Sequence, residues 1–272
     1  MNFEKPDKQA KTLDELIEDV RRKFGKGALV FGSELVPVER VSTGISKLDK
    51  VLGGGWPKGR ITEIWGPQSA GKSSLVYACI AAVQKADPKA KIAYFDQENT
   101  FSPDWAELFG IDLKRLVRVA ALPAEVVGEL IVKMVRAKWD MVVVDSVVEL
   151  LTQKELERGA EEASYAVVAS FLSRLLPKIV ILQSNSPTVV LLVNQVRDKI
   201  GFFLGAGEKS PGGHALFHLD TLKLRVQRKG FIESDKGKRI GIEVAMKLVK
   251  SKLGGEQNEC RLQLVWGKGF RG

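Results

Sequence analysis

Residues Gly66, Pro67, Gln68, Ser69, Ala70, Gly71, Lys72 and Ser73 spell G-x-x-x-x-G-K-S directly after the apolar run 61–65. Such a loop lets backbone N–H groups converge on phosphate oxygens, because its glycines carry no Cβ to hold a ligand away. Lys72 would bring a point charge to the terminal phosphates, and the Ser73 hydroxyl would coordinate Mg²⁺. A helix-like run opens at Ser74 and continues to Val83, so the phosphates would sit at a helix N-terminus. The chemistry these residues point to is the binding of a nucleoside triphosphate.

Hydrolysis of that triphosphate needs further groups at the same place. Met141-Val142-Val143-Val144-Asp145 is a four-residue apolar run ending in a carboxylate, which puts Asp145 at a strand end to support the metal. A second apolar run, 91–95, is followed by Asp96-Gln97-Glu98. Of its two carboxylates, Glu98 lies beyond the strand, with room to reach a water at the terminal phosphate. A third run, Val189 to Val193, leads into Asn194-Gln195, neutral amides able to sense that phosphate without adding negative charge. The segment from Arg197 to Gly213 is rich in glycine yet carries Phe202 and Phe203, as a partner-binding loop would. A phosphate-sensing residue at the root of such a loop is the architecture of a switch.

These strand ends need a parallel sheet covered by helices. Continuous apolar runs fit strands buried on both faces. Residues 124–138 place Val127, Leu130, Ile131 and Met134 on one helical face, and residues 161–176 read as another helix. After His218 the period changes to two: Leu222, Leu224 and Val226 alternate with Lys223, Arg225 and Gln227, and Ile242 to Leu248 alternate again. That predicts an antiparallel extension with one solvated, basic face, turning at 233–238. The fold class is therefore α/β, a mostly parallel sheet with an antiparallel extension. Ahead of it, Thr12 and Glu15 form a capping box before Leu13, Leu16, Ile17, Val20 and Phe24 at helical spacing. This detached amphipathic helix and an extended stretch, 28–41, make a first unit of residues 1–41, with the core at 42–272.

A length of 272 residues allows one substantial core, and a net charge of +9 favours a polyanionic partner such as nucleic acid. Two cysteines, Cys79 and Cys260, suggest neither a disulfide framework nor a zinc site. No run is long enough to span a bilayer, and the N-terminus has no apolar signal core, so a cytoplasmic, membrane-free setting is expected.

Together these residues resemble the bacterial RecA recombinases. The likeness runs from about Thr12 to the C-terminus, strongest at Phe24-Gly25-Lys26-Gly27, Ser42-Thr43-Gly44, Gly66 to Ser73, Val144-Asp145-Ser146, Asn194 to Arg197 with Lys199-Ile200-Gly201, Gly212-Gly213 and Lys250-Ser251-Lys252. The resemblance implies a RecA-like core that binds ATP and Mg²⁺, with Lys72 on phosphate, Glu98 activating water, Ser73 and Asp145 serving the metal, and Gln195 coupling phosphate to the loop. Lys250 and Lys252 would reach the ATP of an adjacent subunit in a helical filament, a homo-oligomer that the N-terminal helix would link. DNA contacts would come from Tyr165 and Arg174, from Arg197, Lys199, Ile200, Gly201, Phe202, Phe203, Gly212, Gly213 and His214, and from Arg228, Lys229 and Lys247.

Some positions depart from that pattern. Trp105 and Trp266 stand where tyrosine usually lies near the adenine, keeping a stacking face. Ser170 and Pro177 replace the usual arginines, Phe217-His218 replaces a Lys-Phe pair, and the usual C-terminal domain is expected to be absent. The implied function is homologous recombination: polymerising on single-stranded DNA and pairing it with double-stranded DNA. The alternatives are a RecA-related accessory or regulatory protein without strand exchange and, more distantly, a ring-forming helicase.

Overall fold

The computed structural model describes residues 12–157, 165–196, 213–254 and 258–271. Cα packing divides the chain into two compact units, Met1–Val38 and Glu39–Gly272.

In the first unit, α1 (Leu13–Phe24) begins at Thr12, whose hydroxyl accepts from the Glu15 N–H while the Glu15 carboxylate accepts from the Thr12 N–H. The reciprocal pair satisfies two donors that a helix start leaves without partners. Leu13, Leu16 and Phe24 are exposed on this helix. The stretch after it is not the continuous extension that its Val and Leu content suggests. A 3₁₀ turn, Lys26–Ala28, opens it and a second, Gly32–Glu34, interrupts it, the latter because the Glu34 carboxylate accepts from the Phe31 N–H at 2.7 Å and from Arg21 at 2.6 Å.

The second unit starts with β1 (Arg40–Val41), paired antiparallel to β2 (Trp56–Pro57) across α2 (Ser46–Leu52). A nine-stranded sheet follows, made of β3 (Ile61–Gly66), β4 (Ile92–Asp96), β5 (Leu116–Val119), β6 (Met141–Asp145), β7 (Val189–Gln195), β8 (Leu222–Glu233), β9 (Arg239–Ser251), β10 (Glu259–Val265) and β11 (Gly269–Arg271). Its order is β11-β10-β9-β8-β3-β7-β6-β4-β5, parallel from β5 to β8 and antiparallel from there to β11. The expected mixed architecture is what forms.

Helices cover both faces. α3 (Lys72–Ala86), with α2 and α4 (Pro103–Leu108), packs over Ile92, Tyr94, Met141 and Val143. On the other face α5 (Ala124–Arg136) and α7 (Tyr165–Gln183) pack over Ala93, Phe95, Val142 and Val144. Successive strand residues thus feed opposite cores, which is why β4 and β6 read as unbroken apolar runs. Of the short helices, α6 (Gln153–Leu156) precedes α7 and α8 (Gly213–Leu219) follows β7 in the chain.

Two further expectations need correction. α7 does not stop at Leu176 but runs through Pro177 to Gln183. Val168, Phe171, Leu172, Leu175, Leu176 and Ile179 make one buried stripe. At about 1.5–3 kcal/mol per buried side chain, that stripe outweighs the ~3 kcal/mol a mid-helix proline costs, and Pro177 itself faces solvent. Lys223, placed by its alternation on a solvated face, is buried. Its ammonium lies 2.8 Å from Glu63 on the adjacent β3 and 5.0 Å from the Trp65 ring centroid.

Candidate nucleotide-binding site

Parallel pairing lines up the carboxyl ends of neighbouring strands. Gly66 on β3 lies opposite Gln195 on β7, and Asp145 on β6 lies opposite Val193 on one side and Asp96 on the other. Polar residues following apolar runs therefore converge on one sheet edge, the position where open α/β sheets bind ligands. A cavity of about 240 Å³ sits there, lined by Ser69, Gly71, Lys72, Ser73, Ser74, Glu98, Trp105, Asp145, Gln195, Ile242, Leu264 and Trp266. A larger cleft of about 650 Å³ lies beside the C-terminal half of α3 and holds none of these groups.

The loop's shape depends on its glycines. A Cβ on Gly66 would lie 1.9 Å from the Val226 carbonyl oxygen, because β8 passes directly alongside. Gly71, at φ 94, makes the left-handed turn into α3. Pro67, Gln68, Ser69 and Ala70 form the arc between them, with Ala70 buried. Lys72 bends back over the arc and donates to the Gly66 and Pro67 carbonyls at 3.0 and 2.8 Å. Burial pulls its ammonium below the usual lysine value, while Asp145 and Glu98 push it back up.

Asp145 is almost fully buried at the end of β6 and accepts the Tyr94 hydroxyl at 2.8 Å. Burial raises its carboxyl above the ordinary value, and hydrogen bonds from Ser73 and Tyr94 oppose that rise. Burial also pushes the Tyr94 phenol far above its usual value, with the Asp145 charge adding to the shift. The Tyr94 hydroxyl is therefore the donor of this pair. The choice between the two acids after β4 is decided by Arg118 on β5. Asp96 accepts from Arg118 Nε and a terminal nitrogen at 3.0 and 2.7 Å, and from the Thr100 and Phe101 N–H groups. With Asp96 committed to holding its own loop, Glu98 is the one of these two acids that lines the cavity.

A similar division separates Asn194 from Gln195. The Asn194 amide donates to Glu63 at 2.8 Å inside the sheet, whereas Gln195 Nε2 donates to Glu98 Oε1 in the cavity. Trp105 donates its indole N–H to the Ser74 hydroxyl at 3.2 Å and meets Phe109 edge-on; Trp266 is about half exposed at the opening. The donor set suits Mg²⁺. Ser73 and Asp145 offer hard oxygens, and no cluster of three His, Cys, Asp or Glu side chains able to hold a metal occurs among the described residues. A cation of this kind is shared with phosphates rather than caged by protein.

The remaining expected site residues lie elsewhere. Lys250 bonds the Asp220 carboxylate and the Phe217 carbonyl, and Lys252 bonds the His218 carbonyl, so neither lines the cavity of its own chain. Arg228 and Lys229 on β8 and Lys247 on β9 are exposed, as is Arg174 on α7. Tyr165 opens α7 and Gly213 and His214 open α8. Arg197, Lys199, Ile200, Gly201, Phe202, Phe203 and Gly212 lie outside the described residues. Sequence reasoning passed over Tyr94, the one side chain with a polar tip inside an otherwise apolar run.

A family model for the RecA N-terminal domain matches residues 11–271. The chain belongs to the RecA family. Among its relatives is protein RecA of Thermus aquaticus, 34% identical over 264 residues, covering 96% of this chain and 77% of that one. Protein RecA of Ruegeria pomeroyi is 36% identical over 269 residues, 97% of this chain and 76% of the relative. That of Lactobacillus acidophilus is 33% identical over 268 residues, 97% and 73% respectively. In this RecA-family chain no described helix is long and apolar enough to cross a membrane.

Proposed function

We propose that the chain is an ATP-dependent homologous recombinase that polymerises on single-stranded DNA, pairs it with homologous duplex and promotes strand exchange. The observation that carries this reading is the contact between Gln195 and Glu98. Gln195 is the last residue of β7, two positions before the segment at 197 read as DNA-binding, and Glu98 is the carboxylate that would activate water.

Bound Mg²⁺ would neutralise phosphate charge, with Ser73 and Asp145 serving it. Lys72 would exchange its two carbonyl partners for terminal phosphate oxygens, which accept a charge-assisted hydrogen bond more strongly. Glu98 would take a proton from the water whose oxygen attacks the terminal phosphorus, as the bond to the bridging oxygen breaks. Gln195 would hold the Glu98 carboxylate until phosphate or DNA draws the amide away, so that loop position and hydrolysis respond together. Lys250 and Lys252, with no role in their own cavity, would serve the nucleotide of a neighbouring copy.

Electron microscopy with single-stranded DNA and a slowly hydrolysed ATP analogue tests the assembly. Helical filaments support the reading. Closed rings would favour a helicase, and absence of assembly would favour an accessory protein.

A further inference from the structure

We infer that Tyr94 is a positioning residue for the Mg²⁺–nucleotide complex, acting through Asp145; the inference rests on the nucleotide site proposed above. Tyr94 is 1% exposed, and its ring is fixed beneath α3 by Tyr77 and Phe101, with centroids 5.7 and 5.4 Å away. Its position on β4 is two residues before Asp96, the residue opposite Asp145. Two strand residues span roughly 6.5 Å, a gap that a phenol bridges and a phenyl ring leaves open. The bridge is made: the hydroxyl donates to Asp145 Oδ2 at 2.8 Å.

A carboxylate at a strand end is free to rotate about its last bond. A donor locked in the core fixes its plane and occupies one lone pair of Oδ2, leaving the others for Ser73 and for metal-bound water. Within the core the Tyr94 hydroxyl also meets that of Tyr77, but phenylalanine would fill the same space with no polar group to satisfy. Tyr94 is thus to Asp145 what an outer partner is to a metal ligand.

The test is Tyr94→Phe, which keeps the ring and removes the hydroxyl that Asp145 accepts from. Binding of a fluorescent N-methylanthraniloyl ATP is measured in EDTA and across a MgCl₂ titration, alongside thermal melting. Loss of a hydrogen bond to a charged group predicts that the Mg²⁺ concentration for half-maximal effect rises about tenfold, with metal-free affinity unchanged. An unchanged Mg²⁺ requirement overturns the inference and leaves the hydroxyl a satisfied core group. Equal losses with and without Mg²⁺ also overturn it, since they mark a packing role. If the wild-type chain binds no nucleotide at all, the site reading itself fails and takes the inference with it.

Discussion

Gln195 and Glu98 join the ends of β7 and β4 across the intervening β6, through an amide N–H donated to a carboxylate oxygen. The bond spans three strands at the edge where Lys72 and Asp145 also end. Glu98→Gln keeps the shape and the partner while removing the proton acceptor. Turnover should fall by roughly two to four orders of magnitude, as for loss of a general base, while ATP and DNA still bind. Steady-state phosphate release checks this, and an unchanged rate rejects Glu98 as the base.

Trp105 and Trp266 line the same cavity, and the Trp105 indole is anchored to Ser74 beside the phosphate loop. ATP should therefore change tryptophan fluorescence, and Trp105→Ala should weaken the change. A signal surviving removal of both rings would come from Trp56, Trp65 or Trp139 and would contradict the adenine placement.

The convergence of these residues was legible in the sequence because β4, β6 and β7 end just past their apolar runs, so Asp145, Glu98 and Gln195 were countable from the last buried residues. What was not legible depended on partners far away in the chain. That Asp96 is held by Arg118 could not be read from its own strand, although Glu98 could already be placed beyond it. Lys223 follows a solvated alternation until Glu63 on the next strand draws it inward. Pro177 reads as a stop until the buried stripe on both sides of it is seen in place. The 3₁₀ turn at Gly32–Glu34 likewise depends on Arg21, which belongs to the preceding helix.

Asp220 sets a pH dependence of stability. Burial pushes its carboxyl up to about 6 from an ordinary 3.8, outweighing the Lys250 ammonium that pairs with it. The native state therefore holds this proton where the unfolded chain has lost it, and stability is lost as pH rises through that window. Asp220→Asn removes the penalty. In urea denaturation the variant should gain on the wild type between about pH 4 and pH 7, whatever constant offset the lost ion pair adds. A difference that does not vary with pH would contradict the assignment.

The β8–β9 hairpin presents Arg228 and Arg239 against the exposed Phe231 ring, 4.7 and 4.0 Å from its centroid, next to Lys229. Stacking orders these guanidinium groups in advance. If they meet duplex phosphates, each lost contact should flatten the plot of log affinity against log salt by about 0.9. Replacing Arg228, Lys229, Lys238 and Arg239 with glutamine tests this by duplex binding across a salt series. An unchanged slope would mean that the duplex enters elsewhere.

Strand exchange between circular single-stranded DNA and homologous linear duplex, with ATP and Mg²⁺, tests the central claim most directly. The account predicts joint molecules that mature to nicked circles with the wild-type chain, none with heterologous duplex and none with Lys72→Ala. Filaments and DNA-stimulated phosphate release without any joint molecules would contradict it, and would make the chain a RecA-family ATPase that serves recombination without performing it.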